Sequence, residues 1–201
     1  MSQIQEHLVG LAQTATKKPV ESGERLAASL VSQFKMKDGT EVALRPIRPD
    51  DESLMKQFHE TLSDRTVYMR YFCSLSLRSR VAHERLVRIC HVDGNREAAL
   101  VADLKDELTG QHHILGVGRL IKLETGNEGE VAILVSDRYQ KHGLGTELLR
   151  RVVQIARDQK LCRLSGELLR DNLIIQIMVK RLGFRSNLCL DSPSVTATLE
   201  I

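Results

Sequence analysis

The stretch best suited to chemistry is Ser136-Asp137-Arg138-Tyr139-Gln140-Lys141-His142-Gly143-Leu144-Gly145-Thr146. It follows an apolar run of strand length, residues 131–135. It leads into a segment in which Leu148, Leu149, Val152, Ile155 and Ala156 recur with helical period. A strand-loop-helix passage converges main-chain N–H groups and the positive end of a helix on one point, where an anion binds. Gly143 and Gly145 carry no Cβ, so a phosphate can come close to the main chain. Lys141, His142 and Arg138 add positive charge around it. A Walker loop would end in Gly-Lys-Ser/Thr, whereas Gly145 is followed by Thr146 and Glu147. A dinucleotide fingerprint needs a third glycine where Leu148 stands. By itself the glycine pair also fits a tight strand-to-helix turn with no ligand.

The elements that must position this loop are legible as an alternation of periods. Asp38-Gly39-Thr40 is a turn signal, and Val42 and Leu44 alternate with polar neighbours as a strand does. Asp50 is placed to cap a helix whose inward face is Leu54, Met55, Phe58 and Leu62. Helices follow around residues 67–71 and on a face made by Ala82, Leu86 and Ile89. Residues 98–102 and 114–121 read as a strand hairpin closed by residues 106–111. After the glycine loop and its helix come a strand at 164–168, a helix at 173–182 and two terminal strands split by Asp191-Ser192-Pro193-Ser194. The fold class is therefore α/β, or α+β around one mixed sheet.

Residues 1–37 differ from this domain, which occupies 38–201. Ile4, Leu8, Leu11 and Ala12 share one helical face, and Leu26, Ala27, Leu30, Val31 and Phe34 share a second. Two short amphipathic helices are expected, docked on the domain or on a second copy as a homodimer contact. A frayed tail is the equal alternative.

Composition removes several classes. The chain has 201 residues, 42% hydrophobic and 27% charged, with a formal net charge of +3. That balance, with four Phe, three Tyr and no Trp, argues against nucleic acid as a partner. No uninterrupted apolar run approaches the length that spans a bilayer, and Gln3, Gln5, Glu6 and His7 break any signal-peptide core, so no membrane partner and a cytoplasmic location are expected. Cys73, Cys90, Cys162 and Cys189 form no C-x-x-C pair and have no histidine at finger spacing, so reduced thiols and no metal are expected. His59, His83 and the pair His112-His113 read as isolated or solvated, and Arg150-Arg151 as a solvated helix face.

Gln140-x-x-Gly143-x-Gly145, between an apolar strand and a long helix and followed by Asn172 and Leu182-Gly183-Phe184, resembles the pyrophosphate signature of the GCN5-related N-acetyltransferases, the GNAT superfamily. The acetyltransferase domain of bacterial Pat-type protein lysine acetyltransferases is more similar still. It shares a start like Leu44-Arg45-Pro46-Ile47-Arg48-Pro49-Asp50-Asp51, then Leu62-Ser63 through Tyr68-Met69-Arg70-Tyr71-Phe72, then Asp93 and Arg96-Glu97-Ala98-Ala99-Leu100-Val101-Ala102. The resemblance implies a twisted sheet splayed between residues 130–135 and 164–168, with acetyl-CoA in the gap. Its pantetheine would pair with the main chain of Ile133 and Val135, across Leu134. Its pyrophosphate would rest on the amides of Lys141, His142, Gly143, Leu144, Gly145 and Thr146, and Asn172 would reach the cofactor or cap its helix. The cofactor's remaining phosphate could attract Arg150 or Arg151, and no metal is implied.

Acetyl transfer to an amine needs the neutral amine. A lysine side chain titrates near 10.4, so neutralising it at pH 7 costs about 4–5 kcal/mol, and a positioned base meets that cost. Glu130 falls where the Pat-type resemblance places its base; a solvated strand-end carboxylate is the plainer reading. The amide near Val135 is the natural oxyanion donor. Where many relatives carry a tyrosine acid, Val179 stands. The resemblance makes a protein lysine the expected acceptor. A small amine, or a non-catalytic module that senses acyl-CoA, are the alternatives.

Overall fold

In a computed structural model, residues 31–124, 126–188 and 192–201 are described, and they carry eight strands and six helices. In chain order these are β1 (Ser32–Lys35), β2 (Glu41–Pro46), α1 (Glu52–Glu60), α2 (Asp64–Tyr71), α3 (Leu77–Arg80), α4 (His83–Cys90), β3 (Glu97–Lys105), β4 (His112–Lys122), β5 (Glu128–Val135), α5 (Leu144–Asp158), β6 (Arg163–Leu169), α6 (Leu173–Arg181), β7 (Arg185–Leu188) and β8 (Ser194–Glu200). The strands form one sheet in the order β1-β2-β3-β4-β5-β6-β8-β7, antiparallel throughout except between β5 and β6. None of the described helices is long and apolar enough to cross a membrane.

Strand alternation gives the sheet two apolar faces. Leu100 and Ala102 of β3 join a back core with Leu144, Leu148, Val152 and Ile155 of α5. Ala99 and Val101, their neighbours in sequence, join a front core with Met55 and Phe58 of α1, Val67 of α2 and Leu86 and Ile89 of α4. Helix α5 sits close on β4 because Gly116 and Gly118 face it. A Cβ on either would stand 3.0 Å from the side chain of Leu148 or Val152. A bulge accompanies this: Ala102 pairs with Gly116 but Asp103 with Ile114, leaving Leu115 as the extra residue beside the end of β5.

Two expectations need correction. The second amphipathic helix was to include Val31 and Phe34, but residues 32–35 are strand β1. Asp38-Gly39 turns the chain into a hairpin, Phe34 pairs with Val42, and Phe34 packs on the back core while Gln33 and Lys35 stay exposed. A period of two thus wins over a period of 3.6 once a partner strand is present, and β1 joins the sheet through β2. The remainder of the expected helical extension, and the homodimer contact assigned to it, lies outside the described residues. Secondly, α1 begins after Asp51 rather than at Asp50, because a 3-10 turn at Pro49–Asp51 comes first.

That turn is tied to the sheet by buried charge. Arg45 of β2 donates from both terminal nitrogens to Asp51, at 2.7 Å each, and from Nε to Asp103 of β3 at 2.8 Å. Asp51 also accepts the Arg48 amide at 2.8 Å, and Asp103 contacts His112 Nδ1 at 2.8 Å, so this histidine is not merely solvated. The Asp51 hydrogen bonds, opposed by burial and joined by those from Asp103, hold the guanidinium well above its usual range. His59 of α1 is isolated as expected, but it is buried. It is 1% exposed, and neither ring nitrogen has a hydrogen-bond partner among the described residues. Burial, then the charges of Arg85 and Arg80, lowers its pKa to about 3.

Arg45→Leu leaves two buried carboxylates without their counter-charge, and should cost about 3–5 kcal/mol in a urea titration. Unfolded His59 titrates near 6.5 and folded His59 near 3, so between those values the unfolded chain binds more protons. Stability therefore falls as pH drops below 6.5, by up to about 1.4 kcal/mol per pH unit. His59→Gln should flatten the dependence between pH 6 and 5; an unchanged slope would show that His59 is already charged when folded.

Candidate active site

The site begins where two strands part. β5 and β6 pair only at Glu128–Arg163, Gly129–Leu164 and Glu130–Ser165. Beyond Glu130, β5 stays paired to β4 as far as Val135, and β6 stays paired to β8 as far as Leu169. Each strand is thus held on its outer side while a wedge opens between them. The Ser136 amide donates to Leu115 and the Leu123 amide to Glu128, which sets the phase of the β4–β5 ladder. In that phase Glu130, Ala132 and Leu134 direct their main chain to β4, while Val131, Ile133 and Val135 direct theirs into the wedge. Ile133 and Val135 therefore lie where the sequence reading put them. Leu134 does not: its peptide groups serve β4 opposite Val117, and its side chain is buried in the front core. Alternate residues of a strand address opposite edges, so three consecutive residues cannot all face the gap.

The loop after β5 is anchored from three sides. Ser136 is bonded to the bulged Leu115 at 2.9 Å. The Asp137 carboxylate accepts from the Ser63 amide (2.9 Å), Ser63 Oγ (2.7 Å) and Thr66 Oγ1 (2.8 Å) at the start of α2. Partial burial works to raise the Asp137 pKa, but those hydrogen bonds outweigh it and hold the carboxyl below its ordinary range. Gln140 Nε2 donates to Thr66 Oγ1 and to the Val135 carbonyl, each at 3.1 Å, so this signature residue braces the loop with the amide expected at the cofactor. On the third side, the Lys37 amide donates to the His142 carbonyl at 3.0 Å, and His142 Nδ1 lies 2.8 Å from Asp38 of the β1–β2 turn.

Lys141 (φ +66°) and Gly143 (φ +93°) both take left-handed backbone. Gly143 is the N-cap of α5 and supplies no side-chain acceptor, so the first-turn amides of Leu144, Gly145 and Thr146 have no side-chain cap. A Cβ on Gly145 would stand 3.6 Å from Met178 and from Val135, and 3.9 Å from Ile133; this glycine keeps the mouth of the wedge clear. Glu147, buried in the same turn, is bonded by Arg150 and, at 2.8 Å, by Arg151. The two arginines thus keep the solvated face expected of them, 57% and 40% exposed, while their guanidinium groups neutralise a buried acid. Asn172 accepts the Ile175 amide at 3.4 Å as the N-cap of α6. Val179 is buried in the back core.

Glu130 is buried, and strand parity puts its side chain on the front face with Ala132 and Leu134. The latter two help line a small, partly open cleft between α1, α2, α4 and the sheet. Arg70, Arg85, Arg119, Tyr71 and His59 line it too. The guanidinium groups of Arg70 and Arg85 each lie over the Tyr71 ring, 5.1 and 5.2 Å from its centre. Arg119 donates to the Ile89 carbonyl at 2.7 Å and lies 3.5 Å from Glu97. Sequence reasoning singled out none of these for function. The available signals were Arg119, charged within an otherwise apolar strand, and Arg70-Tyr71, which entered only as part of a likeness. Ser63, Thr66 and Asp137 were missed because their roles exist only once α2 meets the loop. Among the described residues no three His, Cys, Asp or Glu side chains converge as a metal site requires.

A sequence profile described as the acetyltransferase (GNAT) domain matches residues 41–185. An acetyltransferase of Pseudomonas aeruginosa is 28% identical over 120 residues, which is 60% of this chain and 62% of that protein, less than two thirds of its length. The GNAT domain of PAT from S. lividans superposes with a TM-score of 0.76 at 24% identity, covering 87% of this chain and 98% of that one. RimJ of Mycobacterium smegmatis, solved in complex with CoA-disulfide, gives a TM-score of 0.62 at 16% identity over 85% of this chain and 86% of its own. These superpositions speak for a shared fold. With the profile spanning most of the chain, from β2 through the parted strands and the glycine-led helix to the start of β7, the protein belongs to the GNAT acetyltransferase family, whose members use acetyl-CoA.

Proposed function

We propose that this protein is an acetyl-CoA-dependent N-acetyltransferase that moves an acetyl group to a primary amine, with a protein lysine side chain as acceptor and Glu130 as general base. The observation that carries the transferase reading is the wedge between β5 and β6 beside a helix that begins at a glycine with no side-chain cap. A ligand that is amide-rich along its length and anionic at one end suits both halves. Unpaired strand groups at Ile133 satisfy its amides, Val135 offers its amide alone because Gln140 holds its carbonyl, and the amides of residues 141–146 hold its diphosphate. Lys141 and His142 add charge there, Thr146 closes the first helical turn, and Gly145 leaves the passage open. Asn172 has its cap to make, and Gln140 holds the loop in shape; both act through position. When bound, acetyl-CoA supplies a thioester whose carbonyl the amine attacks.

The wedge passes through the sheet, which lets a carrier held on the α5 side present its reactive end to the side where Glu130 lies. A buried carboxylate beside apolar Ala132 and Leu134 is suited to taking a proton from an ammonium, directly or through one water. The Val135 amide faces the wedge and can donate to the oxyanion. The departing thiolate resembles that of cysteine, near 8.5, so the chemistry proceeds without the tyrosine that Val179 replaces. The lysine acceptor is supported by the Pat-type likeness. The confinement of the front cleft favours a second reading, a small amine.

Glu130→Gln should lower kcat by about 10²–10³-fold with CoA affinity within twofold of wild type, measured by thiol release and calorimetry. Equal turnover would remove Glu130 as the base, and tight CoA binding without turnover in the wild type would make the protein an acyl-CoA sensor instead. Gly145→Val should weaken CoA binding at least about tenfold in protein whose far-UV spectrum shows the fold retained, since its branches crowd Met178, Val135 and Ile133 at the wedge. Unaltered CoA affinity in that variant would mean the carrier lies elsewhere.

A further inference from the structure

The front cleft carries more positive charge than acetyl transfer itself requires. Arg70, Arg85 and Arg119 line it above a floor that includes Ile47, Met55 and Val117. Acids stand among them: Glu97 lies 3.5 Å from Arg119, and Arg70 feels the charge of Glu130. His59 lines the same cleft while buried, with both ring nitrogens unpartnered among the described residues, and Arg119 Nε is likewise buried without a partner. Native proteins pair their buried polar groups, so unpaired ones around a cleft point to atoms that a ligand brings.

We propose that this cleft binds an acid group of the acceptor itself, so that the favoured substrate is a primary amine that also bears a carboxylate or a phosphate. Arg70, Arg85 and Arg119 hold the anion, and its amine is left beside Glu130. The inference rests on the transferase reading above and names its substrate class. Guanidinium groups are the side chains whose planar forks match such oxyanions, and a partly desolvated cleft strengthens the match. Burial holds the pKa values of both Arg70 and Arg119 below the usual range even though Glu130 and Glu97 respectively work to raise them, so nearby acids compensate these cations only in part. An arriving anion supplies that compensation. The same positive surroundings disfavour an ammonium, which assists deprotonation of the bound amine. Two sources share this chemistry: a small amino acid-like molecule, or a peptide lysine with acidic neighbours.

Two substrate pairs that differ only in charge provide the test. The first is 4-aminobutanoate against 4-aminobutanamide, the second a capped Asp-Lys-Asp peptide against Asn-Lys-Asn, each assayed with acetyl-CoA. The acidic member of at least one pair should have a kcat/KM at least tenfold higher. That ratio should collapse towards one in Arg70→Gln, with CoA affinity within twofold of wild type. A preference confined to the first pair identifies a small-molecule acceptor, and one confined to the second an acidic protein segment. If neither pair is acetylated, glutarate titrated into the CoA-loaded protein decides: heat that disappears in Arg70→Gln supports the cleft, and no heat overturns it. Ratios near one in both pairs with CoA binding intact overturn the inference and leave acetyl transfer standing. Absence of CoA binding overturns the transferase reading and this proposal with it. The wild-type ratios need no variant; should Arg70→Gln fail to fold, Arg119→Lys, which keeps charge but loses the fork, should reduce the ratio in its place.

Discussion

A parallel ladder that closes for three residue pairs and then stops governs the rest of this structure. Strand main-chain groups left unpaired inside a sheet carry a desolvation cost, so an interior gap persists only where something else takes up those groups. Here each strand is fastened on its far side, β5 to β4 and β6 to β8, so neither can swing across to close the wedge. One of the groups facing it, the Val135 carbonyl, is taken by the Gln140 side chain. Gly166 of β6 marks how tightly the strands approach just past their last pair, since a Cβ there would stand 3.2 Å from the Val131 carbonyl oxygen. The remaining strand groups are what a ligand with amides of its own would complete.

The second consequence is the placement of the loop. Its conformation includes two left-handed residues, Lys141 and Gly143, and the lysine pays in strain for a geometry that glycine adopts freely. The compensation comes from outside the loop: the bulged Leu115 carbonyl, the Ser63–Thr66 start of α2, and the hairpin that precedes β2. Three separate parts of the chain thus converge on the segment that opens α5. One consequence is that the front layer of helices and the back helix α5 are mechanically joined through Asp137.

Much of this was legible in the chain beforehand. Strands and helices that bury a continuous stripe, such as β3, β4, β5 and α5, have a period that survives any tertiary context, and the Asp38-Gly39 turn was visible as a turn. Phe34 shows where that approach fails. A short amphiphilic segment satisfies helix and strand periods alike, and only the presence of β2 as a partner selects the strand. His59 shows a second kind of failure: burial is a property of what packs above a residue, and neither its spacing nor its neighbours announce it. Arg150 and Arg151 are a third case, since the burial of their partner Glu147 is not written in its spacing.

By itself, then, the sequence determined the order of the elements, the glycine positions that the loop and the helix–sheet contact require, and the placement of Glu130 on a strand leading to that loop. These are local matters, set by side-chain period and by which residues tolerate left-handed backbone. Tertiary structure alone decided where the parallel ladder stops, which edge of β5 each peptide group faces, and that three arginines from two helices and a strand meet around one cleft. Those follow from through-space packing of segments distant along the chain. Charge and hydrogen-bonding groups acquire their energetic weight there, in the low-dielectric surroundings that only the assembled layers create.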